Sequence, residues 1–336
     1  MVIGLGLILL AVLAGPIFIK PVERNIELFF LTVGALTSII TGRFGWPLVH
    51  AAVTEPLALT IAVLVFGVIA RITRPIFDQG VQRLRAAVSA RWIYVALIMA
   101  LGLLSSVITA VVAALLLVEA IAMLKLDRPS EIAAVVLACF AIGLGSALTP
   151  MGGPLAAIAI AALGADFWYL TRLLGPLVLA GIIIVGALGL FIAPLPAASL
   201  YAARREESWR DIVMRAVRVY AFVAGLVGLA WGMRPLASTY ITRMPQGVLF
   251  WVNSISAVVD NATLTAAEMG PALNHNQQRA ILMGLLISGG MLIPGNIPNI
   301  VAASRLGISS REWARVGLIT GLPLMLLCFA VLHWLG

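Results

Sequence analysis

Charge is what this sequence lacks. Only 11% of its 336 residues are Asp, Glu, Lys or Arg and 62% are hydrophobic, against roughly 25% charged in an ordinary soluble domain. So few charges cannot coat a water-facing surface, which excludes a soluble domain and points to one membrane-embedded body. Cysteine and histidine are as scarce, at two and three. Cys139 and Cys328 each lie within an apolar run, where a thiol behaves as a small hydrophobe, so neither a disulfide nor a resident metal site is expected. His50, His275 and His333 share no ligand spacing. The chain has no Walker loop, nucleophile elbow or His-Glu-x-x-His motif, which argues against an ATP-driven pump or a metalloprotease. No enzyme and no cofactor is expected. The formal charge of +8 is spread through the connections between apolar runs, with no surface to gather it against nucleic acid.

What is present is a series of apolar runs, many long enough for a hydrocarbon core of about 30 Å. The amino end lacks a basic leader and reads as a first span rather than a cleaved signal. Spans are expected at Val2 to Ile19, Ile26 to Thr41 and Ala51 to Ala70. The block from Arg91 to Leu124 would measure about 50 Å as one helix, more than a tilted span needs. Hydroxyl and β-branched residues at Ser105 to Ala110 mark its bend, giving a re-entrant hairpin. There follow a helix from Glu131 to Ser146, an interruption at Ala147 to Pro154, a half-helix from Leu155 to Leu163 and a span from Leu170 to Ile192.

The pattern then recurs: a span from Asp211 to Met233, a second block from Gly247 to Leu273 bent near Val-Val-Asp-Asn, and a helix from Arg279 to Leu292. The interruption Ile-Pro-Gly-Asn-Ile-Pro-Asn, a half-helix through Ala303 and a last span from Ala314 to Leu335 complete it. Residues repeat along with lengths. The stretch from Ile108 aligns with that from Ile255 through a shared Ile-(Ser/Thr)-Ala-Val-Val, and the stretch from Thr149 aligns with that from Ile293 with both prolines in register. The expected fold is therefore an all-α polytopic membrane protein of two repeats, each with a re-entrant hairpin and a discontinuous helix, as in many secondary transporters. Residues 1–90 form N-terminal scaffold helices, 91–195 the first repeat and 196–336 the second.

Loop charge orients the chain. With the N-terminus outside and each long block returning to its own side, most of the 22 Lys and Arg fall inside, including the cluster from Arg204 to Arg218, and the repeats are inverted. Arg71 to Arg91, where apolar residues alternate with arginine, reads as an inner-surface helix or a plain connector.

Asp260 sits at the second bend, near mid-membrane, where an uncompensated charge is costly and an acid is a functional candidate by default. It also fits as N-cap of a return helix starting at Asn261. The Pro294 to Asn299 interruption frees backbone carbonyls which, with the oxygens of Asn296 and Asn299, suit a small hard cation or else mark a packed kink. Thr149 is the counterpart in the first half. Ser146, Ser288 and Thr263 are weaker candidates, since such hydroxyls commonly bridge helices. Glu119, near Lys125, and Glu268 and Glu55 read as interfacial carboxylates.

The segment Ser-Ala-Val-Val-Asp-Asn from Ser256 resembles the corresponding segment of NhaD-type sodium/proton antiporters. Pro-Gly-Asn-Ile-Pro-Asn from Pro294 is similar to the Gly-Asn-x-Pro-Asn segment of the ion transporter superfamily, whose members carry cations, arsenite, citrate or dicarboxylates. The likeness runs from Arg91 to the end and is strongest in the second half; within the superfamily, the chain looks closest to a branch of cation transporters. It implies inverted repeats, usually in a homodimer with a mobile transport domain, with site residues at Asp260, Asn261, Asn296 and Asn299. The first hairpin departs from the pattern, carrying no asparagine between Thr109 and Leu117. The expected activity is sodium/proton exchange within a lipid bilayer: proton and metal ion compete for Asp260, which holds Na⁺ transiently. The rival expectation is an oxyanion or carboxylate carrier, possible with sodium coupling, in which helix N-termini hold the anion.

Overall fold

The computed structural model describes residues 2–57, 59–61, 63–65, 68, 90–124, 126–192, 209–240, 244–259 and 261–335. Among them the structure is helical throughout, and six helices are long and apolar enough to cross a membrane. The helices are α1 (Val2–Phe18), α2 (Lys20–Arg24), α3 (Ile26–Ile40), α4 (Trp46–Val65), α5 (Ala90–Ile108), α6 (Ala110–Leu124), α7 (Arg128–Gly145), α8 (Pro154–Leu163), α9 (Tyr169–Leu188), α10 (Trp209–Tyr240), α11 (Gln246–Val252), α12 (Asn261–Glu268), α13 (His275–Gly289), α14 (Ile297–Leu306) and α15 (Ser310–Leu335). A 3₁₀ turn, Asn253–Ala257, extends α11. Of the Arg71 to Arg91 segment, residues 71–89 lie outside the described residues.

Both long blocks break where the sequence placed a bend. The first breaks at Thr109, whose φ of 72° is in the left-handed region that β-branched residues avoid. The second breaks between Ala257 and Asn261, the residue at which the return helix was expected to start. Both helix interruptions also appear, between α7 and α8 and between α13 and α14. Each following half-helix has proline in its first turn, where a missing N–H removes no helical bond. Each ends on a glycine in the left-handed conformation, Gly164 at φ 58° and Gly307 at φ 61°.

Buried helix interruptions leave backbone groups that need partners. In each half the following long helix donates a side chain to one of them: Thr171 Oγ1 in α9 to Leu148 O at 2.6 Å, and Trp313 Nε1 in α15 to Gly290 O at 3.1 Å. Gly317 of α15 allows that approach, since a Cβ there would lie 2.1 Å from Met291 O.

The elements meet at two ends. At one, the Arg128 guanidinium at the start of α7 is bidentate to Glu312 of α15 (2.9 and 2.8 Å), and binds Glu131 and the carbonyls of Leu306 and Gly307 beyond α14. Arg305 pairs there with Glu119 of α6 at 3.0 Å. Glu119 thus has an ion partner on another helix instead of a purely interfacial setting. At the other end, Gln278 and Arg279 of α13 bond Tyr169 and Leu173 O at the start of α9. The interior is an apolar cluster in which α7 and α13 are buried along most of their length.

Beside this body, α3 and α10 lie in close contact. Gly225, Gly228 and Gly232 repeat at helical spacing on α10, and a Cβ on Gly34 would stand 2.3 Å from Gly225 O. The Ser38 hydroxyl donates to Gly228 O at 2.7 Å, and Phe30 meets Phe222 edge to face at 4.8 Å. Small residues that admit backbone contact are the usual means of helix association in lipid, where no hydrophobic force drives it. Gly225→Leu places its side chain against the Phe30 backbone, 2.4 Å from the new Cβ. It should lower stability by about 1–3 kcal/mol or more, read as a fall in melting temperature in detergent, while Gly4→Leu, with nothing within 4 Å, should leave that temperature unchanged.

Candidate functional site

A cavity of about 330 Å³ lies where the four breaks converge. Its walls are Thr109 to Val111 from the first junction, Ser146 and Pro150 to Leu155 from the first interruption, Asn261 and Ala262 from the second junction, and Asn296 and Ile297 from the second interruption. These residues include the first turns of α6, α8, α12 and α14. A helix start carries unbonded N–H groups and the positive end of the helix dipole, about half a charge each. Four such starts surround one cavity, each directing the positive end of a helix dipole toward it.

The first half of the wall is tied by the backbone. Ala110 N donates to Gly152 O at 2.7 Å, joining the α5–α6 junction to the interruption. The Thr109 side chain accepts Val112 N at 3.3 Å, capping α6. Thr149 donates its hydroxyl to Ser106 O, and Ser105 Oγ reaches Ile142 O at 3.0 Å. Thr149 therefore pins α5 to the interruption instead of facing the cavity. Ser146 does line the cavity, its hydroxyl donating to Gly143 O at 2.9 Å with its oxygen lone pairs left over.

The second half relies on amides. Asn261 Oδ1 accepts the Ser256 hydroxyl at 2.9 Å and rests on Gly289, where a Cβ would be 2.7 Å from that oxygen. Asn296, N-cap of α14, reaches across to α7 of the other half, and a Cβ on Gly143 would lie 2.8 Å from its Nδ2. Asn299 is fully buried and holds the interruption together, its Nδ2 donating to Gly289 O at 2.8 Å and Leu292 O at 2.9 Å, with Oδ1 left without a partner. Ser288 is turned away, bonded to Gly284 O at 2.7 Å and Asn253 O at 2.8 Å.

Of the sequence candidates, Asn261, Asn296 and Ser146 thus meet at the cavity, while Asn299, Thr149 and Ser288 build its walls. Asp260 lies outside the described residues, as does the side chain of Thr263. Of the 14 acids, Asp260 alone adjoins a cavity-lining residue in sequence. Sequence reasoning missed Thr109, Gly152, Gly153 and Ser256, which act largely through backbone or as supports for Asn261. Ser256 carried a signal, as it opens the matched hairpin motif. Glu268 requires a correction: expected at an interface, it is 3% exposed, because α8, α10 and α13 close over α12.

An ion in this cavity would meet N–H groups, amides and a few oxygens, not imidazole or thiolate; both cysteines are buried free thiols elsewhere. Gly289→Ala drives a Cβ into the Asn261 amide. It should weaken ion-induced thermal stabilisation and cost about 1–3 kcal/mol of stability, whereas Gly270→Ala, with nothing within 4 Å, should do neither.

No curated protein matches this chain. Residues 2–335 match the family described as protein of unknown function (DUF1646), and the chain belongs to that family.

Proposed function

We propose that this chain is a secondary transporter of a small ion in the cell membrane, with its N-terminus outside, and that it exchanges a cation, sodium first, for protons. The observation that carries the reading is the meeting of both interrupted helices and both block junctions at one cavity. A scaffold or receptor has no need of four unwound segments in its apolar interior, each requiring compensation; a transporter needs a site at mid-membrane that either side can reach.

Contacts at the two ends support inverted repeats. The end of α5 abuts the end of α7, and a Cβ on Gly145 would lie 1.8 Å from Gly102 O. The chain then returns in α6 to Glu119, which joins Arg305 at the end where α7 begins. In the second half α11 runs beside α13 from the opposite end, where Gln246 meets Leu332 O at 3.5 Å. Return arms pair across the halves, α6 with α14 and α12 with α8, the exchange expected of a two-fold relation between re-entrant hairpins. The homodimer rests on the family resemblance.

The chemistry follows from the cavity's charge. Four helix starts repel a bare cation, so a carboxylate must accompany it. Asp260, adjoining Asn261 in sequence, supplies that charge. In the bilayer interior such an acid is neutralised by a proton or by a metal ion, so one site occupied by either ligand in turn is sufficient for exchange. Oxygens of Ser146 and of carbonyls freed by the interruptions complete a shell for a hard cation.

The same four helix starts favour a second reading, an oxyanion or carboxylate carrier with Asp260 holding co-transported sodium. Proteoliposome flux separates the two. Asp260→Asn should abolish sodium-dependent proton movement; unchanged exchange in that variant refutes the assignment. Uptake of an anion that requires sodium, without counter-movement of protons, establishes the second reading.

A further inference from the structure

The return arm of the second junction carries an acid that the cavity does not use. Glu268, at the end of α12, is buried, and its Oε2 has no hydrogen-bond partner. It lies against the side chain of Asn253. The Oδ1 of Asn253 is also buried without a donor, and its Nδ2 is given to Leu249 O at 2.9 Å. An ionised carboxylate so placed would have the Asn253 amide as its donor but no counter-charge among the described residues, a costly arrangement for a buried acid. In its neutral form the acid escapes that cost, and its O–H supplies a donor where two buried oxygens have none.

Among the described residues, the surroundings offer no cation in its place. The helix α8 has no titratable side chain. On α13, Arg279 is committed to Leu173 O and Asn276 Oδ1, and His275 lies against Tyr169. On α10, Arg210, Asp211, Arg215 and Arg218 belong to the early turns, where Arg215 neighbours Arg305 and Glu119 at the opposite end. The side chain of Arg234 is outside the described residues. The α11 helix and its 3₁₀ extension carry no titratable group.

A seam of buried polar groups runs between Glu268 and the cavity. Ser288 donates to Asn253 O at 2.8 Å, Ser256 to Asn261 Oδ1 at 2.9 Å, and Thr265 to Asn261 O at 2.8 Å. Asn253, Ser256, Asn261, Thr265 and Ser288 are all buried, in a body that is otherwise apolar. Two helical turns, about 10 Å, separate Glu268 from Asn261.

We propose that Glu268 is a second proton-binding site: it holds a proton at neutral pH and, on the transport reading above, releases and regains it as the cycle opens the seam. Infrared spectroscopy of the reconstituted protein across a pH series tests the first half without any need for transport. A carboxylic-acid carbonyl band should be present at neutral pH, fade as pH rises, vanish in Glu268→Gln and persist in Asp260→Asn. In Asn253→Leu the band should remain at a shifted frequency, which guards against a Glu268 variant that fails to fold. Flux tests the second half: Glu268→Gln should slow sodium-coupled proton movement at least tenfold while keeping thermal stabilisation by sodium chloride. A band unaltered in Glu268→Gln, or proton movement equal to that of the unsubstituted protein, overturns the proposal. Absence of any sodium-coupled flux with the Glu268 band intact refutes sodium/proton exchange instead and leaves the proton site standing.

Discussion

Every helix broken inside an apolar body must find partners for the backbone groups it releases, and this requirement organises the whole chain. An apolar interior offers few waters to supply them, so the protein does. Ala110 N finds Gly152 O, Leu148 O finds Thr171, Gly290 O finds Trp313, and Asn299 secures Gly289 O and Leu292 O. These bonds tie each interruption to neighbouring elements of its own half. The glycines at 145, 295 and 317 serve the same end by letting backbone approach backbone.

A cavity with a few polar groups in a mostly apolar lining can exist there because the walls, and not the contents, satisfy most of the released backbone groups. Asn299 and Thr149 are structural for this reason, and Asn261 and Asn296 are left to face the space they surround. The division is chemical. A side chain whose donor is consumed by neighbouring carbonyls braces the loop, while one held by its acceptor, as Ser256 holds Asn261, keeps donors for an incoming ligand.

The breaks were legible in the sequence because proline, glycine and β-branched residues mark them locally, and a long apolar block has few ways to fit a bilayer. Thr109 fell within the expected bend and Asn261 began the expected return helix. The allocation of side chains was not legible. Whether Ser288 or Ser146 faces the cavity depends on which carbonyl of a neighbouring helix captures its hydroxyl, and that is set by packing across residues far apart in the chain. Glu268 illustrates the same limit: its distance from a loop suggested an interface, yet burial is decided by helices drawn from the other parts of the chain.

The arginine knot at the start of α7 has a mechanical meaning. Sliding α7 past α15 would sever its bonds to Glu312, Leu306 and Gly307 at once, whereas displacing α7, α14 and α15 as one block severs none. First and second halves are therefore fastened to each other at that end.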